Sequence, residues 1–202
     1  MRTKLGENIF VLDGRGNCYE VTLTKYGKDF VEGNIISKQK NFHESKRDLT
    51  LAVGLLKNPS KFDFVVEKTT ELGVKNIIPM ISEHSIAKSI KIERMQKLAL
   101  AAMKQCGRGF LPIISEVKTF EEIIATKENY DKKFVAYEHE SKHKKSETEN
   151  WQSAIVVVGN EGGFSEKEIL QAKENYFMTI SLGERRLRTE TAAIVVCSTF
   201  LR

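Results

Sequence analysis

The sequence has few cysteines, and none in a pairing pattern. Its 202 residues include only Cys18, Cys106 and Cys197, which lie far apart and form no Cys-x-x-Cys motif. An odd number of distant cysteines favours neither a disulfide framework nor a zinc site. Each cysteine lies in an apolar stretch, so we expect all three to be small buried side chains.

Long hydrophobic runs are also absent. No stretch approaches the length that spans a bilayer, and the first residues contain no apolar segment of signal-peptide length. These absences predict a cytoplasmic protein without a membrane association. Hydrophobic residues make up 41% of the chain and charged residues 29%, as in an ordinary globular protein. The length allows one core with a small satellite domain.

The sequence lacks the motifs of several common enzyme classes. It contains no Gly-x-Gly-x-x-Gly dinucleotide motif, no Walker phosphate loop and no Gly-x-Ser-x-Gly nucleophile elbow. Hydride transfer, nucleoside triphosphate hydrolysis and esterase chemistry are therefore disfavoured. His139 and His143 are four residues apart, but they lie in a polar stretch rich in Lys and Glu. We interpret this stretch as a surface loop and expect no metal site.

Two kinds of pattern divide the chain at about residue 47. Residues 1–46 contain short alternating runs separated by Gly-containing turns, which predict a small antiparallel β module. Residues 47–202 alternate strand and helix patterns, which predict a mainly parallel sheet covered by helices on both faces. The predicted strands are 9–12, 18–23, 30–36, 49–53, 77–81, 134–137, 154–158 and 178–182; the predicted helices are 60–72, 92–106, 119–126, 165–175 and 189–201.

A glycine-rich segment, residues 159–164, directly follows the apolar strand 154–158. A Ser-x-x-Glu capping box begins at Ser165, immediately after it. Glycines allow backbone groups to approach a ligand closely, and ligands of open α/β sheets bind beyond the carboxyl ends of strands. The segment fits a ligand-binding loop, and taken alone it fits a tight strand-to-helix turn equally well.

A charged segment precedes the last predicted helix. Residues 182–190 contain three arginines and two glutamates, and Thr189 is the expected N-cap. The helix that follows is apolar nearly all round, so most of its surface must be buried, which a partner subunit would assist. A highly charged loop that leads into a buried helix favours a functional role over a salt-bridged surface turn.

Positive charge is concentrated in residues 88–108, which hold six basic residues and one acidic residue. At roughly 100° per residue, Lys97, Lys104 and Arg108 fall within about 40° of one another, and Arg94 lies about 60° from Lys97. The opposite face of the predicted helix is apolar. This basic stripe suits the phosphates of a nucleic acid, although a solvated helix face has the same appearance.

Four segments together resemble the RsmE family of the SPOUT methyltransferases. They are residues 67–74, 103–106, 159–165 and 181–192. The last two, in this order and at this spacing, carry the resemblance most specifically, and the resemblance covers nearly the whole chain. It implies a partial PUA-like β-barrel in residues 1–46 and a SPOUT methyltransferase domain with a C-terminal trefoil knot in residues 47–202.

The resemblance also implies an activity. RsmE enzymes are homodimers that bind S-adenosylmethionine in the knot and methylate N3 of a uridine in 16S rRNA of the 30S ribosomal subunit. The implied cofactor-binding residues are Ile81, Gly159, Asn160, Glu161, Gly162, Gly163, Leu182, Gly183, Leu187, Arg188, Thr189 and Thr191. The basic residues expected to bind RNA are Arg94, Lys97, Lys104 and Arg108.

Two departures from the family pattern bear on these expectations. The family usually has proline where this chain has Asn160, a change that costs rigidity but removes no backbone donor, since proline has none. Family members also carry further strands and basic residues before the position that matches residues 2–6. We therefore expect an incomplete barrel and a weaker or less specific contact with RNA.

The chemistry narrows the catalytic candidates. Methyl transfer from a sulfonium is an in-line displacement, and uracil N3 must lose its proton, which places negative charge on the flanking carbonyl oxygens. We expect Arg188 to face this charge. Glu161 or Glu190 is the base, or an anchor of the cofactor or the loop. The alternatives are another SPOUT methylation, of a ribose 2′-oxygen or a tRNA guanine, and a non-catalytic RNA-binding module.

Overall fold

The computed structural model describes residues 4–137 and 150–201, which form a small antiparallel sheet followed by a larger α/β unit. The three strands of the first sheet are β1 (Asn8–Leu12), β2 (Asn17–Tyr26) and β3 (Val31–Lys40), in that spatial order. They confirm the three strands expected from the alternating pattern. A PUA-like barrel that extends beyond them stays a prediction.

The second sheet contains seven strands, and every pair in it is parallel. The strands are β4 (Asp48–Gly54), β5 (Asn76–Ile81), β6 (Ile113–Ile114), β7 (Lys118–Thr119), β8 (Lys132–Ala136), β9 (Ser153–Val158) and β10 (Met178–Ile180). Their order is β10-β8-β9-β4-β5-β6, and β7 pairs separately with β5. The predicted parallel sheet is confirmed. The two-residue strands β6 and β7 were not predicted because they are too short to show a period.

The described residues contain five helices, of which the first four connect strands of this sheet and the fifth follows its last strand. They are α1 (Pro59–Glu71), α2 (Ile92–Cys106), α3 (Phe120–Ile124), α4 (Glu166–Glu174) and α5 (Thr189–Phe200). The predicted capping box at Ser165 is present, and Thr119 forms a second one at the start of α3. The N-cap of α5 is Arg188 rather than Thr189, so that prediction is wrong by one residue, and the Arg188 side chain makes no capping hydrogen bond.

Helices cover both faces of the parallel sheet, as the sequence predicts. One cluster contains buried side chains of α1, α2 and α5, and the other contains those of α3 and α4. Leu51 and Val156 belong to the first cluster, whereas their neighbours Ala52 and Val157 belong to the second. Successive strand residues point to opposite faces, so both faces of these strands are buried and their sequences read as continuous apolar runs.

Arg108 lies inside the protein, where it joins the end of α2 to the connection between the two sheets. The helix ends because Gly107 adopts a left-handed conformation (φ 71°), and Arg108 follows this reversal. It is 2% exposed, and it donates to Glu44 Oε1 at 3.0 Å and to Glu44 Oε2 at 2.6 Å. Its third nitrogen donates to the backbone oxygens of Thr70 and Val74. Its predicted place on an RNA-binding stripe is therefore wrong.

The same connection includes a close backbone contact. Gly16 donates to the backbone oxygen of Gly109 at 2.9 Å, and Gly109 donates to that of Phe42 at 2.9 Å. A Cβ at Gly109 would lie 2.9 Å from the carbonyl carbon of Gly16, closer than side chains approach. Glycine at this position thus allows the β1–β2 turn to pack directly on the α/β unit. The predicted domain boundary between residues 46 and 47 lies in this connection, and the division into two domains stays a proposal.

Candidate active site

Two strand-to-helix loops meet at one cavity. The glycine loop (residues 159–164) joins β9 to α4, and the arginine loop (residues 182–188) joins β10 to α5. Both loops line a cavity of about 1100 Å³, together with Ala136 at the end of β8, Tyr137 directly after it and Lys61 of α1. Because β10, β8 and β9 are neighbouring parallel strands, their carboxyl ends meet at one edge of the sheet. Open α/β sheets bind ligands at this edge.

The cavity brings together ten of the twelve residues predicted to bind a cofactor. They are Gly159, Asn160, Glu161, Gly162, Gly163, Leu182, Gly183, Leu187, Arg188 and Thr189. Ile81 is not part of the lining, since it lies at the end of β5 and packs against the first core cluster. Thr191 is exposed on α5 and is not part of the lining either.

The sequence did not indicate two polar residues of the lining, Lys61 and Tyr137. Lys61 lies in the first turn of α1, almost a hundred positions before the glycine loop, and no local motif surrounds it. Tyr137 directly follows β8, and the sequence predicted it only as the last residue of a strand. The order of the strands in the sheet would have indicated Tyr137, because β8 lies between β9 and β10.

The glycine loop is a tight turn as well as a cavity wall. Gly163 has φ 68°, and its backbone N–H donates to the backbone oxygen of Asn160 at 3.0 Å. Residues that carry a side chain rarely adopt such a positive φ, so glycine is required there. The sequence fitted both a tight turn and a ligand-binding loop. The same residues form the turn and line the cavity, so the two interpretations do not exclude each other.

The arginine loop presents positive charge at the start of a helix. Gly183 has φ 120°, which again requires glycine. Arg185 and Arg188 are exposed, and within the described part of the chain the Arg188 side chain makes no hydrogen bond or ion pair. Thr189 and Glu190 of α5 line the cavity too, so the uncapped amino end of this helix faces it. Free amides and the helix dipole favour an anionic group at this point.

Two glutamates border the cavity in different environments. Glu161 is exposed, and its Oε1 accepts a hydrogen bond from the backbone N–H of Lys57 at 3.2 Å. Glu190 Oε1 lies 3.4 Å from Lys61 Nζ, whereas its Oε2 is buried and has no hydrogen-bond partner among the described residues. A buried carboxylate oxygen without a hydrogen-bond partner raises the free energy of the folded protein. Glu190 Oε2 can therefore accept one further hydrogen bond favourably.

The basic stripe of α2 is shorter than predicted. Lys97 and Lys104 are exposed on the helix, as expected. Arg94 is also exposed, but its guanidinium forms an ion pair with Asp63 of α1. The stripe therefore contains two lysines and one paired arginine, and Arg108 is not part of it.

The described residues, 4–137 and 150–201, contain no group of three His, Cys, Asp or Glu side chains that could hold a metal ion. No helix in them is both long and apolar enough to cross a membrane. His139 and His143 lie outside the described residues, so their predicted role as solvated histidines is not tested.

Comparison with known proteins identifies the family. A family model for an RNA methyltransferase domain matches residues 43–201. The ribosomal RNA small subunit methyltransferase E of Mesomycoplasma hyopneumoniae is 33% identical over 168 residues, which are 81% of this chain and 73% of that protein. The chain belongs to the RsmE methyltransferase family. The family resemblance inferred from the four sequence segments is thereby confirmed.

Solved structures of similar proteins share the RsmE fold. A probable rRNA methyltransferase from Porphyromonas gingivalis has a TM-score of 0.88 and 28% identity, and the match covers 99% of this chain and 87% of that one. The RsmE protein of Neisseria gonorrhoeae, solved with S-adenosylmethionine bound, has a TM-score of 0.87 and 30% identity, with 96% and 82% covered. The α/β fold with its parallel sheet is thus that of RsmE methyltransferases.

Proposed function

We propose that this chain binds S-adenosylmethionine in the cavity between the glycine loop and the arginine loop, and that it methylates N3 of a uridine in 16S rRNA. The observation that carries the proposal is that two loops separated by seventeen residues of sequence line one cavity at the carboxyl edge of the sheet. The cofactor-bound relative from Neisseria supports the choice of methyl donor.

The residues of the cavity suit this cofactor. A volume of about 1100 Å³ lies just above the range of ordinary small-molecule sites, roughly 300–1,000 Å³, which favours a site that takes a cofactor together with a flipped base. Val158, Leu182 and Leu187 supply apolar surface for an adenine ring. The amino end of α5 supplies backbone donors for a carboxylate. A sulfonium is already electrophilic, so this chemistry requires no metal ion.

Arg188 is the proposed cation of the reaction. S-adenosylmethionine supplies a methyl group that an in-line nucleophile can displace, and the protein must orient uracil N3 toward it. Loss of the N3 proton leaves negative charge on the flanking carbonyl oxygens. The Arg188 guanidinium has no partner among the described residues, so it is available to stabilise this charge. Glu161 and Glu190 both border the cavity, and each stays a candidate for the base or for an anchor.

RNA contacts and dimerisation complete the proposal. Lys97, Lys104 and Arg94 are proposed to bind phosphates of the rRNA, because phosphate contacts need exposed cations rather than a particular sequence. Ile194 and Val195 of α5 are only partly buried in the single chain. We propose that a second copy of the chain covers them, because a helix that is apolar nearly all round must bury most of its surface.

The test combines binding and product mapping. Titration calorimetry should detect S-adenosylmethionine and its demethylated product, with no effect of a chelator. Incubation with 30S subunits from a strain that lacks the modification should yield one 3-methyluridine, mapped by mass spectrometry. Binding of neither compound would refute the proposal. A methylated ribose or tRNA guanine would instead assign the chain to a different SPOUT activity.

A further inference from the structure

The side chain of Asn160 is buried even though its loop borders a cavity. Asn160 is 6% exposed, which is unusual for an amide side chain. Its Oδ1 accepts a hydrogen bond from the backbone N–H of Gly162 at 3.0 Å, and its Nδ2 donates to Ser85 Oγ at 3.1 Å. The Gly162 N–H can bond only to the amide oxygen, which fixes the orientation of the amide. Both ends of the amide are therefore held within the protein.

Ser85 belongs to a second turn, the serine turn (residues 82–85), which directly follows β5. Its backbone N–H donates to Ser82 O at 3.0 Å, its Oγ accepts from Ser82 N at 2.9 Å, and the two Oγ atoms are 3.2 Å apart. A hydroxyl accepts two hydrogen bonds and donates one. Ser82 N and Asn160 Nδ2 use both acceptor positions, and Ser82 Oγ is placed to take the proton.

The bridge from Asn160 to the serine turn passes over the end of an intervening strand. β4 lies between β9 and β5 in the sheet and ends at Gly54. A Cβ on Gly54 would lie 2.5 Å from the backbone nitrogen of Asn160, a distance that real side chains do not reach. Likewise, a Cβ on Gly162 would lie 2.6 Å from that of His84. The glycine loop thus packs directly against the end of β4 and against the serine turn that follows β5.

We propose that Asn160 is a positioning residue, which fixes the shape of the glycine loop through Ser85 instead of contacting the methyl donor with its side chain. The inference rests on the proposed function, because it takes the glycine loop to bind the cofactor. A loop that is ordered before its ligand arrives loses less conformational freedom on binding. Asn160 therefore acts on cofactor affinity, whereas the rate of the chemical step depends on other residues.

Two single variants remove the bridge from opposite ends. In Asn160→Ala and in Ser85→Ala the affinity for S-adenosylmethionine should fall about tenfold, close to the value of one buried hydrogen bond. The kcat at saturating cofactor should stay within about threefold. The Gly162 amide should exchange faster with solvent in Asn160→Ala. The double variant should lose less affinity than the sum of the two single losses, because both single variants remove the Asn160–Ser85 bond.

Two further variants serve as controls. Asn160→Asp keeps the acceptor for Gly162 and should retain more affinity than Asn160→Leu, whose side chain has a similar shape but no hydrogen-bonding group, so that lost volume does not explain the difference. Asn175→Ala is the matched control: Asn175 lies at the opposite end of α4, where its Nδ2 donates to the backbone oxygen of Gln171, and cofactor affinity should not change. If Asn160→Ala fails to fold, the aspartate and Ser85 variants carry the test.

Three results would overturn the inference. The first is unchanged cofactor affinity in both single variants, and the second is unchanged exchange of the Gly162 amide in Asn160→Ala. The third is a large loss of kcat with unchanged KM, which would make Asn160 a catalytic residue. If the wild-type chain binds no S-adenosylmethionine, the proposed function fails; amide exchange then still measures whether Asn160 and Ser85 hold the loop.

Discussion

Replacing Arg108 with alanine is expected to destabilise the whole protein and to leave RNA binding by the folded fraction unchanged. The Arg108 side chain is 3% exposed and that of Glu44 is 1% exposed. Alanine would leave the Glu44 carboxylate buried with only the Lys75 ammonium and the Phe110 N–H as partners. It would also remove the donor to two backbone oxygens at the end of α1.

The size of this effect follows from the burial of the pair. Removing one partner of a buried ion pair typically costs about 3–5 kcal/mol when the remaining charge is left uncompensated, and we expect about 3 kcal/mol here because Lys75 still pairs with Glu44. For a chain of this length each kcal/mol lowers the melting temperature by roughly 2–4 °C, so the expected decrease is about 6–12 °C. Combining Arg108→Met with Glu44→Leu should cost less than the sum of the single changes, because the two side chains bond to each other and the pair is then removed as a whole.

Urea unfolding followed by circular dichroism measures this cost. The matched control is Lys104→Ala, which removes an exposed cation from the preceding helix and should change the free energy of unfolding by no more than about 0.5 kcal/mol. If Arg108→Ala were as stable as wild type and bound RNA more weakly, the buried pair would be irrelevant to stability. The expectation that Arg108 contacts phosphate, which its position after α2 suggested, would then be restored.

Three other perturbations test separate parts of the protein. Arg188→Ala should lower the methylation rate about 100- to 1000-fold with an unchanged melting temperature. If this variant kept the wild-type rate, another arginine would have to stabilise the negative charge. Lys97→Ala with Lys104→Ala should weaken RNA binding and reduce its salt dependence without affecting cofactor binding; an unchanged salt slope would make the stripe a solvated surface. Backbone N–H groups at the start of β9 hold the pKa of Asp131 below its usual value, so its stabilisation is present above pH 3.8 and is lost as the pH falls through the lowered pKa. The difference in melting temperature between wild type and Asp131→Asn should therefore shrink in acid, and a difference independent of pH would refute this.

Regular elements were predictable from the sequence where their patterns are long. The helix predicted at 92–106 has those bounds in the structure, because its apolar face repeats over four turns and Gly107 ends it. The buried strands of the parallel sheet were recognisable as apolar runs. Local patterns say nothing about the path of the chain between strands, so the trefoil knot rests on the family resemblance and stays a prediction.

Two predictions about single residues were wrong because the sequence pattern did not show where the chain reverses or how fully the end of a helix is covered. Arg108 was placed on the helix face by continuing 100° per residue through Gly107, where the left-handed conformation reverses the chain. Cys106 was expected to be buried like Cys18 and Cys197, but it is only partly buried, since it occupies the last turn of α2. Burial raises the pKa of the Cys18 and Cys197 thiols, which fits the inert role expected for those two.

The connection between the two sheets has a consequence for how a target nucleotide is selected. The Glu44–Arg108 pair and the hydrogen bonds around Gly109 join the first sheet to the α/β unit, so we expect the two to keep a fixed relative position. An RNA that touches both the first sheet and the cavity then meets two points at a constant separation. The fixed distance between the two contact points would then help to select the target nucleotide. Its position in the folded RNA would matter as much as the identity of its base.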